Sequence, residues 1–174
     1  AQVSKAINLA FVTSEDSSFY THKGIDTFAL ENAVKRNLAE QRVAVGGSTI
    51  TMQTVKNLFL TQERTISRKL QELFLAWHLE NTLSKDRIFE IYMNIVELGP
   101  GIYGVGQASE HFFGKRASDL NLLESAYLAT LLPSPKTRYR YFCEGKMSPN
   151  FSDMVKGLLK RIDRKSTRLN SSHI

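Results

Sequence analysis

The chain has 174 residues, 42% hydrophobic and 23% charged, and its 23 lysines and arginines against 17 acids give a net charge of +6. That balance excludes a disordered, collagen-like or membrane-bundle chain, and it suits one globular domain with anionic partners, whether phosphates, nucleic acid or acidic lipid surfaces. The longest stretch free of Asp, Glu, Lys and Arg, residues 43–55, is too short and too polar to span a bilayer, and the lone Cys143 has no partner in the chain for a disulfide.

The chain opens on Ala-Gln-Val-Ser without an initiator Met or a signal-peptide pattern, so it reads as a piece of something longer. Val3, Ile7, Ala10 and Phe11 recur at helical spacing and predict a first helix over 4–13. A polar loop, 14–24, follows. Thr27 is the expected cap of a second helix carrying Phe28, Ala33, Val34 and Leu38. Residues 46–51 mix Gly, Ser and Thr and read as loop, ahead of a short apolar helix over 54–60. From Thr65 a long helix is expected, with Leu70, Leu73, Phe74 and Trp77 as its apolar face and Arg68, Lys69, Glu72 and Glu80 between them. Ser84 is the expected cap of the next helix, which carries Ile88, Ile91, Tyr92 and Ile95. Residues 99–106 hold four glycines and a proline and read as loop. Asn121 and Glu124 resemble a capping box for a helix ending before Pro133-Ser134-Pro135. A last amphipathic helix is expected over 152–163. The polar residues 166–174 read as a non-native or disordered tail. No strand alternation and no repeat appear, so the fold class is mainly α.

Three groups can carry chemistry. Glu15-Asp16 ends the first apolar segment, ahead of Phe19, His22 and Gly24. A carboxylate against apolar residues has a raised pKa and serves as general acid or base; alternatively both acids simply solvate a helix end. Glu72 has Arg68 four residues before it and Lys69 three before it, on one face. It is either a surface ion pair or a buried carboxylate among bases that bind an anion. Gly46-Gly47-Ser48-Thr49-Ile50-Thr51 offers backbone N–H groups and hydroxyls to a phosphate or sugar, or is a surface loop. It lacks the Gly-Lys-Ser/Thr of a Walker loop. Histidines 22, 78, 111 and 173 form no zinc-ligand pattern, while a hard cation held by carboxylates and phosphates stays open. Basic residues are scattered rather than interleaved with aromatics, which argues against nucleic acid.

The order of these groups carries more than any one of them. Glu15-Asp16-Ser-Ser-Phe19-Tyr-Thr-His22-Lys-Gly24 resembles the E-D-x-x-F-x-x-H-x-G motif of peptidoglycan glycosyltransferases, the glycan-polymerising domains of penicillin-binding proteins and monofunctional transglycosylases. Gly46 to Gln53 with Lys56-Asn57 resembles their G-G-S-T-I-T-Q-Q…K-N motif, with Met52 in place of the first Gln. Arg68-Lys69-Leu-Gln-Glu72 matches R-K-x-x-E. The blocks from Ser84 through Lys85 and Asn94 to Gly104, and from Ala108 to Pro135, follow in family order.

The resemblance implies a lysozyme-like helical domain over 1–165, truncated before its N-terminal anchor, with a larger globular lobe and a small mobile lobe beside the membrane. It implies polymerisation of lipid II by inverting transfer from a glycan on undecaprenyl pyrophosphate, at the outer face of the bacterial cytoplasmic membrane, within reach of a cell-wall synthesis complex. Glu15 would be the general base, and Glu72 would act on the donor side. Asp16, Phe19, His22, Gly47, Ser48, Thr49, Gln53, Lys56, Asn57, Arg68, Lys69, Lys85 and Asn94 would bind or frame the substrate. With the leaving pyrophosphate, Glu72 would either hold a divalent cation, Mg or Mn, or orient the basic residues. A lysozyme-like hydrolase or lytic transglycosylase, and an inactive glycan-binding scaffold, are the rival readings.

Overall fold

The computed structural model describes residues 3–39, 47–61, 63 and 65–171. In chain order its elements are α1 (Lys5–Glu15), α2 (Thr27–Ala39), α3 (Ile50–Phe59), α4 (Ile66–Thr82), α5 (Lys85–Ile95), β1 (Glu97–Gly99), β2 (Ile102–Tyr103), α6 (Gly104–Phe113), a 3-10 turn at Ala117–Asp119, α7 (Leu122–Leu131), α8 (Pro135–Arg138), α9 (Arg140–Cys143) and α10 (Pro149–Ser171). The mainly α expectation is borne out. The chain forms two compact units: Ala1–Ser17 with Val96–Ile174, and Ser18–Ile95.

The first unit is built around α7, which packs against both α1 and α10. Ala126, Leu128, Ala129 and Leu131 of α7, Ile7, Ala10 and Phe11 of α1, and Phe151, Val155, Leu158 and Ile162 of α10 are buried. The buried hydroxyls of Ser125 and Thr130 donate to Asn121 and Ala126 carbonyls one turn back, so α7 carries polar side chains inside without orphaning them. Ser4 caps α1 by accepting the Ile7 N–H at 3.2 Å. Asn121 and Glu124 form the expected capping box on α7. The final helix begins three residues before its expected start, because Ser148 accepts the Phe151 N–H and Pro149 pre-sets the first helical φ. Its backbone stays helical through Ser171.

The glycine-rich stretch departs from the expected loop. Glu97–Gly99 pairs antiparallel with Ile102–Tyr103, and α6 starts directly at Gly104. Gly101 at φ 73° makes the turn and Gly104 at φ 76° starts the helix, conformations that glycine adopts without a Cβ penalty.

In the second unit α3 packs against α4 and α5. Met52, Val55 and Ala76 form a buried cluster with Leu73, Leu75 and Leu79 around it. Two expectations are corrected here. The cap of α2 is Asp26, not Thr27: its carboxylate accepts the Ala29 N–H at 2.7 Å, and Thr27 is already helical. The expected apolar face of α4 is also turned outward. Leu70, Phe74 and Trp77 are 61%, 65% and 55% exposed, whereas Glu72 and Ala76 are buried. The small Ala76 lets α4 approach α3, which a stripe of aromatics would not.

Candidate active site

Candidate residues lie in both units. In the first, Glu15 is the last residue of α1 and accepts the Ser14 hydroxyl at 3.1 Å. It lines a pocket of about 450 Å³ together with Thr130, Arg138, Met154, Arg161 and Arg164. The surroundings expected for Glu15 were apolar; those observed combine Met154 and Leu158 with three guanidinium groups. Asp16 is buried and its N–H closes α1 on the Val12 carbonyl.

In the second unit the loop after Ser17 is fixed from several sides. Ser18 donates to the Asp26 carboxylate. The Ala29 N–H and the Ser18 hydroxyl hold that carboxyl below the usual range. His22 Nδ1 accepts the Gly24 N–H at 3.1 Å. Gly24 itself sits at φ 90°, and a Cβ there would come within 3.1 Å of the Ala76 carbonyl oxygen; the loop lies directly on the backbone of α4. Phe19 is fully buried and packs on Phe89 at 6.0 Å between centroids.

Thr49 joins this loop to α3. Its hydroxyl donates to the Gly24 carbonyl at 2.6 Å and accepts the Met52 N–H at 3.1 Å as the helix cap. The hydroxyl expected to reach a sugar or phosphate is thus committed to holding two segments together. Thr51 is likewise taken, donating to Glu80. Glu80 also pairs with Lys85 at 2.6 Å, and the Lys85 ammonium sits 4.5 Å above the Phe19 ring and 3.5 Å from His22 Nδ1. Phe19, His22, Thr51, Glu80 and Lys85 therefore form one partly buried cluster. Sequence reading missed Glu80: its partner lies five residues on, across the break between α4 and α5, outside the i, i+4 rule.

The Glu72 group matches the buried alternative. Glu72 is 1% exposed. Its carboxylate takes Arg68 Nη1 at 2.5 Å on one oxygen and Lys69 Nζ at 2.6 Å on the other. Lys69 Nζ also donates to the Ser48 hydroxyl at 2.8 Å, so the residue after Gly47 is tied to the α4 cations. Arg68 Nε is buried without a hydrogen-bond partner among the described residues, an unspent donor of the kind an oxyanion satisfies. Gly47 packs so tightly that a Cβ would meet Leu30 Cα at 3.0 Å. Gln53 accepts the Tyr92 hydroxyl at 3.1 Å, a contact to α5 that no local signal announces. Lys56 is half-buried and Asn57 exposed, on the following turns of α3. Asn94 is exposed and donates to the Glu90 carbonyl of its own helix. Gly46 lies outside the described residues.

With both oxygens of Glu72 engaged by cations, the donor set does not fit a metal held by this carboxylate. Among the described residues no three His, Cys, Asp or Glu side chains gather as metal ligands.

Residues 1–159 match the transglycosylase family. The chain is 41% identical over 161 residues to a biosynthetic peptidoglycan transglycosylase of Nitrosomonas eutropha, covering 92% of this chain and 64% of the relative. A protein of the same name from Paraburkholderia xenovorans is 42% identical over 161 residues, covering 92% of this chain and 65% of its own length. One from Burkholderia cenocepacia is 46% identical over 135 residues, 78% of this chain and 55% of the relative. The chain thus spans less than two thirds of the length of these relatives.

Proposed function

The chain belongs to the transglycosylase family, and on that premise we propose that it polymerises lipid II into peptidoglycan glycan strands by inverting transfer. The observation that carries this reading is the buried Glu72 with Arg68 and Lys69 on its two oxygens. A hydrolase that cleaves finished glycan handles no leaving pyrophosphate and has no use for such a cluster. A polymerase does, because negative charge builds on the departing diphosphate as the glycosidic bond to it breaks. Preorganised cations stabilise that charge most where water is excluded.

In this reading Glu15 removes the proton from the 4-hydroxyl of the acceptor N-acetylglucosamine. The hydroxyl oxygen bonds to the anomeric carbon of the donor, whose bond to undecaprenyl pyrophosphate breaks. The proton rests on Glu15, and the new charge on the pyrophosphate meets Arg68, Lys69 and Lys56. Glu72 orients the first two rather than reacting. Thr49, His22 and Lys85 hold the loop and α3 in place, and Ser48, Gln53 and Asn57 face the sugar phosphate. Any divalent cation the reaction uses would be held by the substrate's diphosphate, since Arg68 and Lys69 take both oxygens of Glu72. The exposed stripe of Ile66, Leu70, Phe74 and Trp77 on α4 suits the surface of the membrane that carries a lipid-linked substrate.

The test is incubation of detergent-solubilised protein with labelled lipid II, products being separated by size. Polymer is expected, and Glu15→Gln should slow its formation by about 10²–10⁴-fold, the span of general-base catalysis. Release of fragments from finished cell wall, with lipid II untouched, would overturn the reading in favour of a hydrolase. Binding of lipid II without turnover, also in a version extended to the length of its relatives, would leave a scaffold.

A further inference from the structure

The pocket beside Glu15 holds more positive charge than proton removal from a sugar hydroxyl requires. Arg138 enters it from α8, and Arg161 and Arg164 enter from α10, where their three-residue spacing puts them on one face. Guanidinium groups outnumber the single carboxylate three to one in a concavity of about 450 Å³, an arrangement that concentrates anions. The three differ in how they are held. Arg138 is half-buried, with Nη1 donating to the Thr130 carbonyl near the end of α7 and Nη2 against the Met154 sulfur at 3.8 Å. Burial pulls its pKa below the usual range, and Tyr141 and Glu15 push it back up. Arg164 spends Nε on the Lys160 carbonyl. Nothing among the described residues hydrogen-bonds or pairs with the Arg161 guanidinium.

A second feature points the same way. Gly157 lines this pocket from the interior of α10, where glycine is disfavoured relative to alanine. No close packing explains it, since a Cβ there would meet nothing within 4 Å. The missing side chain leaves the lining bare one turn before Arg161 on the same helix face.

We propose that this pocket is an oxyanion-binding subsite, which takes a phosphate or carboxylate group of the incoming acceptor between the fixed guanidinium of Arg138 and the free fork of Arg161. The identity of the acceptor rests on the function proposed above; the capture of an oxyanion does not. Guanidinium groups receive phosphate and carboxylate through paired N–H donors, which fix orientation as well as adding energy. An acceptor anchored in this way would present its hydroxyl to Glu15 in a limited set of poses.

The test titrates the full chain with inorganic pyrophosphate and, separately, with glutarate, following arginine Nε–Hε signals by NMR. Saturable shifts at Arg161 and Arg138 are expected from at least one of them, and the stronger binder tells phosphate from carboxylate. Arg161→Gln, at an exposed position, should weaken that binding about tenfold, the effect of losing one charge-assisted hydrogen bond. Gly157→Met, which favours the helix but fills the mouth, should abolish it. Arg87→Gln, far along the chain on α5, should leave it unchanged. No saturable shift from either anion, or a shift indifferent to both pocket variants, overturns the proposal. Anion capture in a protein that does not polymerise lipid II would retain the subsite and remove the acceptor assigned to it.

Discussion

Asp26 shows how a single side chain fixes the segment that carries a family motif. Its carboxylate accepts the Ala29 N–H and the Ser18 hydroxyl, joining the first turn of α2 to the start of the loop. Asp26→Ala should cost about 1 kcal/mol, the ordinary worth of such a cap. That corresponds to a fall in Tm of about 2–4 °C for a chain of this length. The effect should depend on pH. The folded carboxyl is held below its ordinary value of 3.8, so its contribution is complete above that value and is lost as pH falls through the lower folded one. Thermal melts of parent and variant should therefore differ by a constant amount from pH 7 to about 5 and converge below about 4. A gap that widened in acid would exclude this account. The residue scale is also where sequence reading was most exact. The Arg68, Lys69 and Glu72 spacing already implied one face, and the structure chooses the buried alternative over the surface pair. Burial itself was not legible, because it depends on the α3 side chains opposite.

At the scale of the element, α4 misdirects a reader of sequence. It carries two apolar stripes, Ile66-Leu70-Phe74-Trp77 and Leu73-Ala76-Leu79, and the larger residues dominate any count. Packing inverts the choice: the face against α3 needs the small Ala76 and accommodates Glu72 with its two cations, so the bulky stripe is left outside. The hairpin over 97–103 and the start of α6 were illegible for a different reason. Strands of three and two residues are too short to alternate, and glycines that read as loop punctuation here supply positive φ at a turn and at a helix start. The inverted stripe has a measurable consequence. Trp77 is the only tryptophan in the chain, so its emission reports on α4 alone. Vesicles of mixed neutral and anionic lipid should shift that emission to the blue. Phe74→Ser should weaken the binding about tenfold, since burying part of a Phe side chain is worth about 1.5 kcal/mol or more. Unchanged emission at saturating lipid would exclude the membrane face.

For the molecule as a whole, the chain leaves its first unit after Ser17 and returns at Val96. The two units are stabilised by different means. The first has a continuous apolar interior shared by α1, α7 and α10. The second has a smaller cluster around Met52, Val55 and Ala76, with buried charge at Glu72 and nearly buried charge at Glu80. Pairs of this kind contribute little net stability but are costly to leave half-made. Each unit should therefore open as its own cooperative block. Met52→Ala removes a fully buried side chain and should cost about 2–5 kcal/mol. Hydrogen exchange read by mass spectrometry should then show faster exchange throughout α3, α4 and α5, with α1, α7 and α10 unchanged. Leu128→Ala in α7 should give the reverse pattern, leaving the Thr49–Gly24 tie and the Glu72 cluster protected. Equal acceleration of both units by either variant would mean that they unfold as one body, and that damage to the core around α7 reaches the Glu72 cations through the fold itself.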